Sequence, residues 1–251
     1  MSAAIAPAPL RAACDDWTSP DVQLADDISV PRSPHDPRVI AVAGPDGLPE
    51  GARLEPGGRI LVLLLEPSQE RAHTVGGALV DEEVARAARA RPSRGEKFTA
   101  VRRTLRLALA RELGCAPREV PIVYGEYGKP ALDDALGSDL HFNVSHTGGL
   151  AAIALARGRE VGVDVELHRP RKRLDLLVRA ALTPAERARF ERLPQHRRLP
   201  AFLDAWSAKE AYSKLLGRGV GLGFDELELD SVRSSIARLP VGPLHSGALA
   251  A

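Results

Sequence analysis

Hydrophobic positions fall in short blocks whose period changes along the chain. Arg59 to Leu65 holds a continuous aliphatic run that ends at Pro67, which predicts a buried strand. Asp81 to Arg89 predicts a helix, with Asp81, Glu82 and Glu83 at its positive end. Pro92 interrupts the pattern, and Lys97 to Leu113 predicts a longer helix. Phe98, Val101, Leu105, Ala108 and Leu109 share one of its faces, and Gly114 stops it. Val120 to Val123 predicts a strand. Three more follow at Leu140–Val144, Ala151–Ala156 and Val161–Glu166, the last two split by Arg157-Gly158-Arg159. Leu174 to Ala181 reads as a helix, and Thr183-Pro184-Ala185-Glu186 opens another through a capping-box pattern. A third helix, Leu199 to Leu216, ends at Gly217, and Glu226 to Leu229 predicts a closing strand. Strands mixed with runs of helices indicate an α+β fold.

Before this ordered region the pattern vanishes. Residues 1–58 are rich in Ala, Pro, Asp and Gly, and Pro31, Pro34, Pro37, Pro45, Pro49 and Pro56 interrupt any helix. They read as a flexible extension. The remainder divides into an N-terminal half (59–138), a C-terminal half (139–232) and a tail (233–251).

Composition narrows the function. Thirty-four Lys and Arg balance 33 Asp and Glu, a net charge of +1, so no global field recruits nucleic acid. Aromatic residues are only 4% of the chain, which predicts an aliphatic core. Cys14 and Cys115 make no disulfide scaffold and favour a reducing, cytoplasmic location. The longest aliphatic run, Ile60 to Leu65, is too short to span a bilayer, and no secretory signal or membrane association is expected.

Three stretches carry chemistry. In Val161-Gly162-Val163-Asp164-Val165-Glu166, the carboxylates of Asp164 and Glu166 project on one side of a strand while the valines point into the core. Adjacent carboxylates repel, and a hard divalent cation such as Mg²⁺ relieves that repulsion. A polar edge strand is the plainer reading of this stretch alone. In Trp206-Ser207-Ala208-Lys209-Glu210-Ala211-Tyr212-Ser213-Lys214, residues Trp206, Glu210 and Lys214 fall four apart on one helical face. Glu210 offers a third carboxylate and Lys214 a cation; an ordinary surface ion pair is the rival account. Phe142-Asn143-Val144-Ser145-His146, followed by Thr147-Gly148-Gly149, ends a strand in a tight turn suited to a phosphate. A Ser145–His146 nucleophilic pair is disfavoured, because neighbours in a strand point to opposite faces. Lys129 in Gly125 to Pro130 and the basic cluster Arg86, Arg89, Arg91, Arg94, Lys97, Arg102, Arg103 and Arg106 complete the candidates.

In their chain order, Phe142–His146, then Val161–Glu166, then Trp206–Lys214, the stretches resemble the fingerprint of the 4′-phosphopantetheinyl transferases, Sfp-like class, over about Leu61 to Leu229. The resemblance implies a pseudo-dimer of two similar α+β halves with coenzyme A between them. It implies Mg²⁺ held by Asp164, Glu166 and Glu210, and Asp164, Glu210 and Lys214 as the catalytic set, with Glu210 as candidate base. Contacts to coenzyme A are implied for Arg91, the Arg103-Thr104 pair, Lys129, Ser145, His146, Lys209 and Lys214: Lys129 near the adenine, Ser145 and His146 at phosphates. The implied reaction moves 4′-phosphopantetheine from coenzyme A to a serine of an acyl or peptidyl carrier protein and releases adenosine 3′,5′-bisphosphate. A monomer is expected. The rival readings are a metal-dependent phosphohydrolase of coenzyme A-like diphosphates and a non-catalytic coenzyme A- or carrier-binding module.

Overall fold

The computed structural model describes residues 37–42, 48–55, 59–67, 77–125, 128–218 and 222–251. Its elements are the strands β1 (Arg38–Val42), β2 (Leu61–Leu65), β3 (Ile122–Tyr124), β4 (Pro130–Leu132), β5 (Leu140–Thr147), β6 (Leu150–Arg157), β7 (Gly162–Leu167), β8 (Ile236–Arg238) and β9 (His245–Ala250). The helices are α1 (Asp81–Arg89), α2 (Pro92–Leu113), α3 (Leu174–Ala181), α4 (Pro184–Glu191) and α5 (Gln195–Leu215). The fold is α+β, and none of the described helices is long and apolar enough to cross a membrane.

A four-stranded sheet, β1-β2-β6-β5, sits at the centre, and β7-β9-β8 forms a second sheet. The all-apolar run of β2 now has a cause. Leu61, Leu63 and Leu65 pack with Leu105 and Leu109 of α2, while Val62 and Leu64 pack with Val163 and Val165 of β7. With an apolar layer on each face, no position of β2 alternates with polar residues. On the far side of the second sheet, Ala208 and Ala211 of α5 lie on Ala248 and Ala250 of β9, small against small. The layers therefore run helix, sheet, sheet, helix.

Several boundaries differ from the sequence reading. Pro92 starts α2, because its fixed φ suits the first helical position, and Gly114 ends it in the left-handed region at φ 70°. Pro200 lies inside α5, which begins four residues before Leu199. The expected flexible extension lies outside the described residues up to 36, but β1 falls within it and pairs in parallel with β2. Glu226 to Leu229 is not a strand. The closing strands are β8 and β9, inside the expected tail, and β9 is the central strand of its sheet. Its small residues, Ser246-Gly247-Ala248, hid a buried strand behind a loop-like composition.

Gly162 marks the tightest contact between α5 and the second sheet. A Cβ there would lie 2.0 Å from the Ala211 carbonyl oxygen and 2.5 Å from the Leu215 nitrogen, both backbone. Gly162→Ala should therefore destabilise the fold by about 3 kcal/mol or more, above the usual cost of overpacking because backbone must move. Urea denaturation checks this, and an unchanged midpoint would refute the packing account.

Candidate active site

β7 is an edge strand, and its odd-numbered amide groups face β5 instead of a pairing strand. Side chains close the gap. Val163 N–H donates to Asn143 Oδ1 at 3.0 Å, Val165 N–H to Ser145 Oγ at 3.4 Å, and Leu167 N–H to Thr147 Oγ1 at 3.3 Å. Asn143, Ser145 and Thr147 alternate along β5, so their side chains leave the same face and match the two-residue period of β7. This polar ladder fastens the two sheets where the candidate chemistry lies.

Asp164 is buried at that seam. Its Oδ1 accepts from Ser145 Oγ at 2.8 Å and from Lys214 Nζ at 2.6 Å. Lys214 also donates to the Val163 carbonyl at 3.1 Å and to Ser145 Oγ at 3.2 Å. The second oxygen, Asp164 Oδ2, is buried with no hydrogen-bond partner among the described residues. Glu166 lies two residues on and pairs with Arg171 at 2.5 Å. Burial raises the Glu166 carboxyl above its ordinary value and Asp164 adds to the rise, while Arg171 and Lys214 oppose it. The side chain of Glu210, one turn before Lys214, makes no hydrogen bond among the described residues. Burial raises it too; Lys214 pulls it down, and Asp164 and Glu166 push it up. The three carboxylates thus feel one another across the β7–α5 seam.

The donor set suits a hard divalent ion: three carboxylates, one with an orphaned oxygen. It is not drawn into a closed cage, since no group of three or more His, Cys, Asp or Glu side chains among the described residues is arranged as a metal site. Arg171 and Lys214 occupy two of the carboxylates instead.

His146 is exposed at the end of β5. Although the residue as a whole is exposed, partial desolvation of its ring is the main cause that lowers its pKa, and Lys214, Arg94 and Lys97 depress it further. Lys97 is held at this turn by a 2.7 Å bond from its Nζ to the Gly148 carbonyl. Lys214, Arg94 and Lys97 therefore all act on His146, and Lys214 also bonds Asp164 and acts on Glu166 and Glu210, which links a cationic turn to the acidic seam. Lys129 forms a separate wall. It pairs with Glu160 at 2.9 Å, and Glu160 also meets His141 Nδ1 at 2.9 Å. These residues line a cleft of about 420 Å³ together with Leu215, Leu216 and Gly217, which follow Lys214 in the chain.

Two of the other expected contacts, Lys209 and Thr104, are already engaged elsewhere. Lys209 has no exposed surface, and its ammonium donates to the Ala181 carbonyl, Glu186 and the Phe224 carbonyl at 2.8, 2.5 and 2.7 Å. All three donors are satisfied inside the helical layer, so it is a structural ion. Thr104 is buried and its hydroxyl donates back to the Ala100 carbonyl at 3.0 Å, leaving no donor for a phosphate. Arg91 is exposed at the start of α2. Arg103 lies six residues beyond Lys97, about 120° away round the helix, so it does not share the Lys97 face. Arg102 and Arg106 hold the buried Glu83 at 3.3 and 2.6 Å, and Arg86 and Arg102 flank the Phe98 ring. Trp206 packs on Phe202 and Phe224. Ser145 and His146 form no nucleophilic pair, because the Ser145 hydroxyl serves Asp164. Sequence reasoning placed Arg94 and Lys97 only within a broad cluster, and no local signal separates them from the rest, since Arg86–Arg89, Arg91–Arg94 and Arg103–Arg106 share their spacing of three.

Removing Lys209 leaves the Glu186 carboxylate buried and unpaired. Lys209→Ala should cost about 3–5 kcal/mol, the usual effect of breaking a buried pair, and thermal unfolding should show it. An unchanged melting temperature would return Lys209 to the list of surface groups. The His146 ring should titrate below 6.5 in the free protein. Since its lowered pKa favours the neutral ring in the fold, its stabilising contribution is full above 6.5 and falls as pH drops through the window below it. Proton NMR of the ring, with Lys97→Ala raising its pKa, checks both the direction and the cause.

Comparison with known proteins follows the same segment. The model of the 4′-phosphopantetheinyl transferase superfamily matches residues 160–245, which contain β7, α5 and all three carboxylates. The protein slr0495 of Synechocystis sp. is 34% identical over 163 residues, 64% of this chain and 66% of that one. The 4′-phosphopantetheinyl transferase HetI of Nostoc sp. is 33% identical over 184 residues, 72% of this chain and 77% of its own. AcpT of Salmonella typhi, also a 4′-phosphopantetheinyl transferase by name, is 38% identical over 130 residues, 52% of this chain and 64% of its own. With its acidic seam inside the matched region and a relative matched over most of its length, the chain belongs to the 4′-phosphopantetheinyl transferase family.

Proposed function

We propose that this enzyme moves the 4′-phosphopantetheine arm of coenzyme A onto a serine of an acyl or peptidyl carrier protein. Adenosine 3′,5′-bisphosphate is the second product. The observation that carries this reading is the juxtaposition of the Asp164, Glu166 and Glu210 carboxylates with Lys214, His146, Arg94 and Lys97. Asp164, Glu166 and Glu210 would hold Mg²⁺, which supplies charge neutralisation to the diphosphate when bound.

The residues themselves do the rest. Arg94, Lys97 and His146 draw the phosphates to the turn after β5, and the cleft beside Lys129 receives the nucleotide end. Lys214 holds Asp164 in place and lends positive charge to the phosphorus under attack. Glu210 takes the proton of the carrier serine as its oxygen bonds to the phosphorus adjoining the pantetheine arm. The bond from that phosphorus to the bridging oxygen breaks, and the electron pair leaves with the nucleotide. Burial raises both Glu166 and Glu210, but Glu166 is tied to Arg171 at 2.5 Å and Glu210 is not, which favours Glu210 for this step. Water in place of serine would make a phosphohydrolase, and a kept pocket without turnover would make a binding module.

Incubation with coenzyme A, Mg²⁺ and a panel of apo carrier domains should add one phosphopantetheinyl mass to at least one carrier. Asp164→Ala should lower that rate by about 10³-fold or more, the scale of removing a group that stabilises transition-state charge, with coenzyme A binding reduced far less. Intact-protein mass spectrometry reads the transfer. Release of phosphopantetheine without carrier would support hydrolysis, and binding that Asp164→Ala leaves unmoved, with no turnover by the natural protein, would support the module.

A further inference from the structure

Ser145 was expected at a phosphate, yet its hydroxyl is already saturated. A hydroxyl has one donor and two acceptor lone pairs. Ser145 Oγ gives its hydrogen to Asp164 Oδ1 at 2.8 Å, and accepts from Lys214 Nζ at 3.2 Å and from Val165 N at 3.4 Å. The side chain is only 7% exposed and nothing remains to donate to a ligand. Asp164 shows the complementary asymmetry. Its Oδ1 carries both bonds from Ser145 and Lys214, and its Oδ2 is buried with none.

We infer that Ser145 is a positioning residue: it clamps Asp164 through one carboxylate oxygen so that the other stays bare for a divalent cation. The geometry supports this in two independent ways. Ser145 is the middle rung of the ladder Asn143–Val163, Ser145–Val165 and Thr147–Leu167, so β5 fixes the backbone on both sides of Asp164. The same hydroxyl then fixes the carboxylate itself, and Lys214 is tied to both. Asp164 therefore cannot turn its Oδ2 inward without losing two bonds from Oδ1. Asn143 and Thr147 hold only backbone, which separates their part from that of Ser145. The inference rests on the reading of Asp164 as a metal-holding carboxylate.

The test compares Ser145→Ala, Ser145→Thr and Asp164→Ala with the natural protein, each first checked for native circular dichroism. Mn²⁺ binding without substrate is followed by the electron paramagnetic resonance of the free ion, and coenzyme A affinity is measured separately in EDTA. Ser145→Ala should weaken Mn²⁺ binding about tenfold, the lower end for a group that orients a metal ligand, and raise the half-saturating Mg²⁺ for transfer similarly. Coenzyme A affinity in EDTA should stay within about twofold on the same ground. Ser145→Thr, which keeps the hydroxyl, should bind Mn²⁺ like the natural protein. The inference is overturned if Ser145→Ala weakens coenzyme A and leaves Mn²⁺ unmoved, since Ser145 is then a phosphate contact. It is also overturned if neither changes, or if folded Ser145→Thr loses Mn²⁺ as the alanine variant does. Should Ser145→Ala fail to fold, the threonine variant alone decides it. Failure of the natural protein itself to bind Mn²⁺ would sink the reading of Asp164 and not merely the part of Ser145.

Discussion

The structure hinges on a contact between two sheets that do not share a main-chain ladder. β7 presents unpaired amide groups to β5, and buried amides without partners are costly in a protein interior. Three polar side chains on β5 satisfy them, and the middle one also holds Asp164 and Lys214. One short segment therefore closes the fold and orients the acidic site. Because the two tasks use the same hydroxyl, the site inherits the rigidity of the sheet seam.

Electrostatics give the seam its chemistry. Placing Asp164, Glu166 and Glu210 together raises the Glu166 and Glu210 carboxyls, and Arg171 and Lys214 offset part of that repulsion. The negative charge left over is what a divalent cation would relieve. Its cationic border comes from elsewhere: Arg94 and Lys97 reach the turn after β5 from the start of α2, more than forty residues earlier in the chain. The cationic groups thus come from both sides of the central sheet, whereas the carboxylates come from β7 and α5 alone.

Not every charge near these motifs belongs to the site. Lys209 adjoins Glu210 in sequence, but one step along a helix turns the side chain by about 100°. That step carries Lys209 into the helical layer with Glu186, where its burial lowers its pKa and Glu186 opposes the change. Likewise Arg102 and Arg106 sit among the basic residues of α2 yet close a buried ion cluster around Glu83. Motif membership gave neighbours in sequence; helical phase decided which of them face a ligand.

Local signals were legible wherever a short segment determines its own conformation. Asp81–Arg89 and Leu174–Ala181 appeared with their observed bounds, and the Thr183-capped helix with its observed start, because caps and periodicity act within a few residues. The alternation of Val163 and Val165 with Asp164 and Glu166 fixed which side of β7 is apolar, and the observed core agrees. The α+β class followed from the same patterns. Long-range pairing was not legible. β1 and β9 gained their strand character from partners across the fold, and nothing in Ser246-Gly247-Ala248 announces a central strand. Nor could composition reveal that the Ser145 and Thr104 hydroxyls are already engaged, or that Asp164 keeps one oxygen bare. The sequence determined which residues could do chemistry, since that depends on side-chain type and local period. Only the tertiary structure decided which of them retain a free donor or acceptor, because hydrogen-bond valence is settled by whatever packs against each atom.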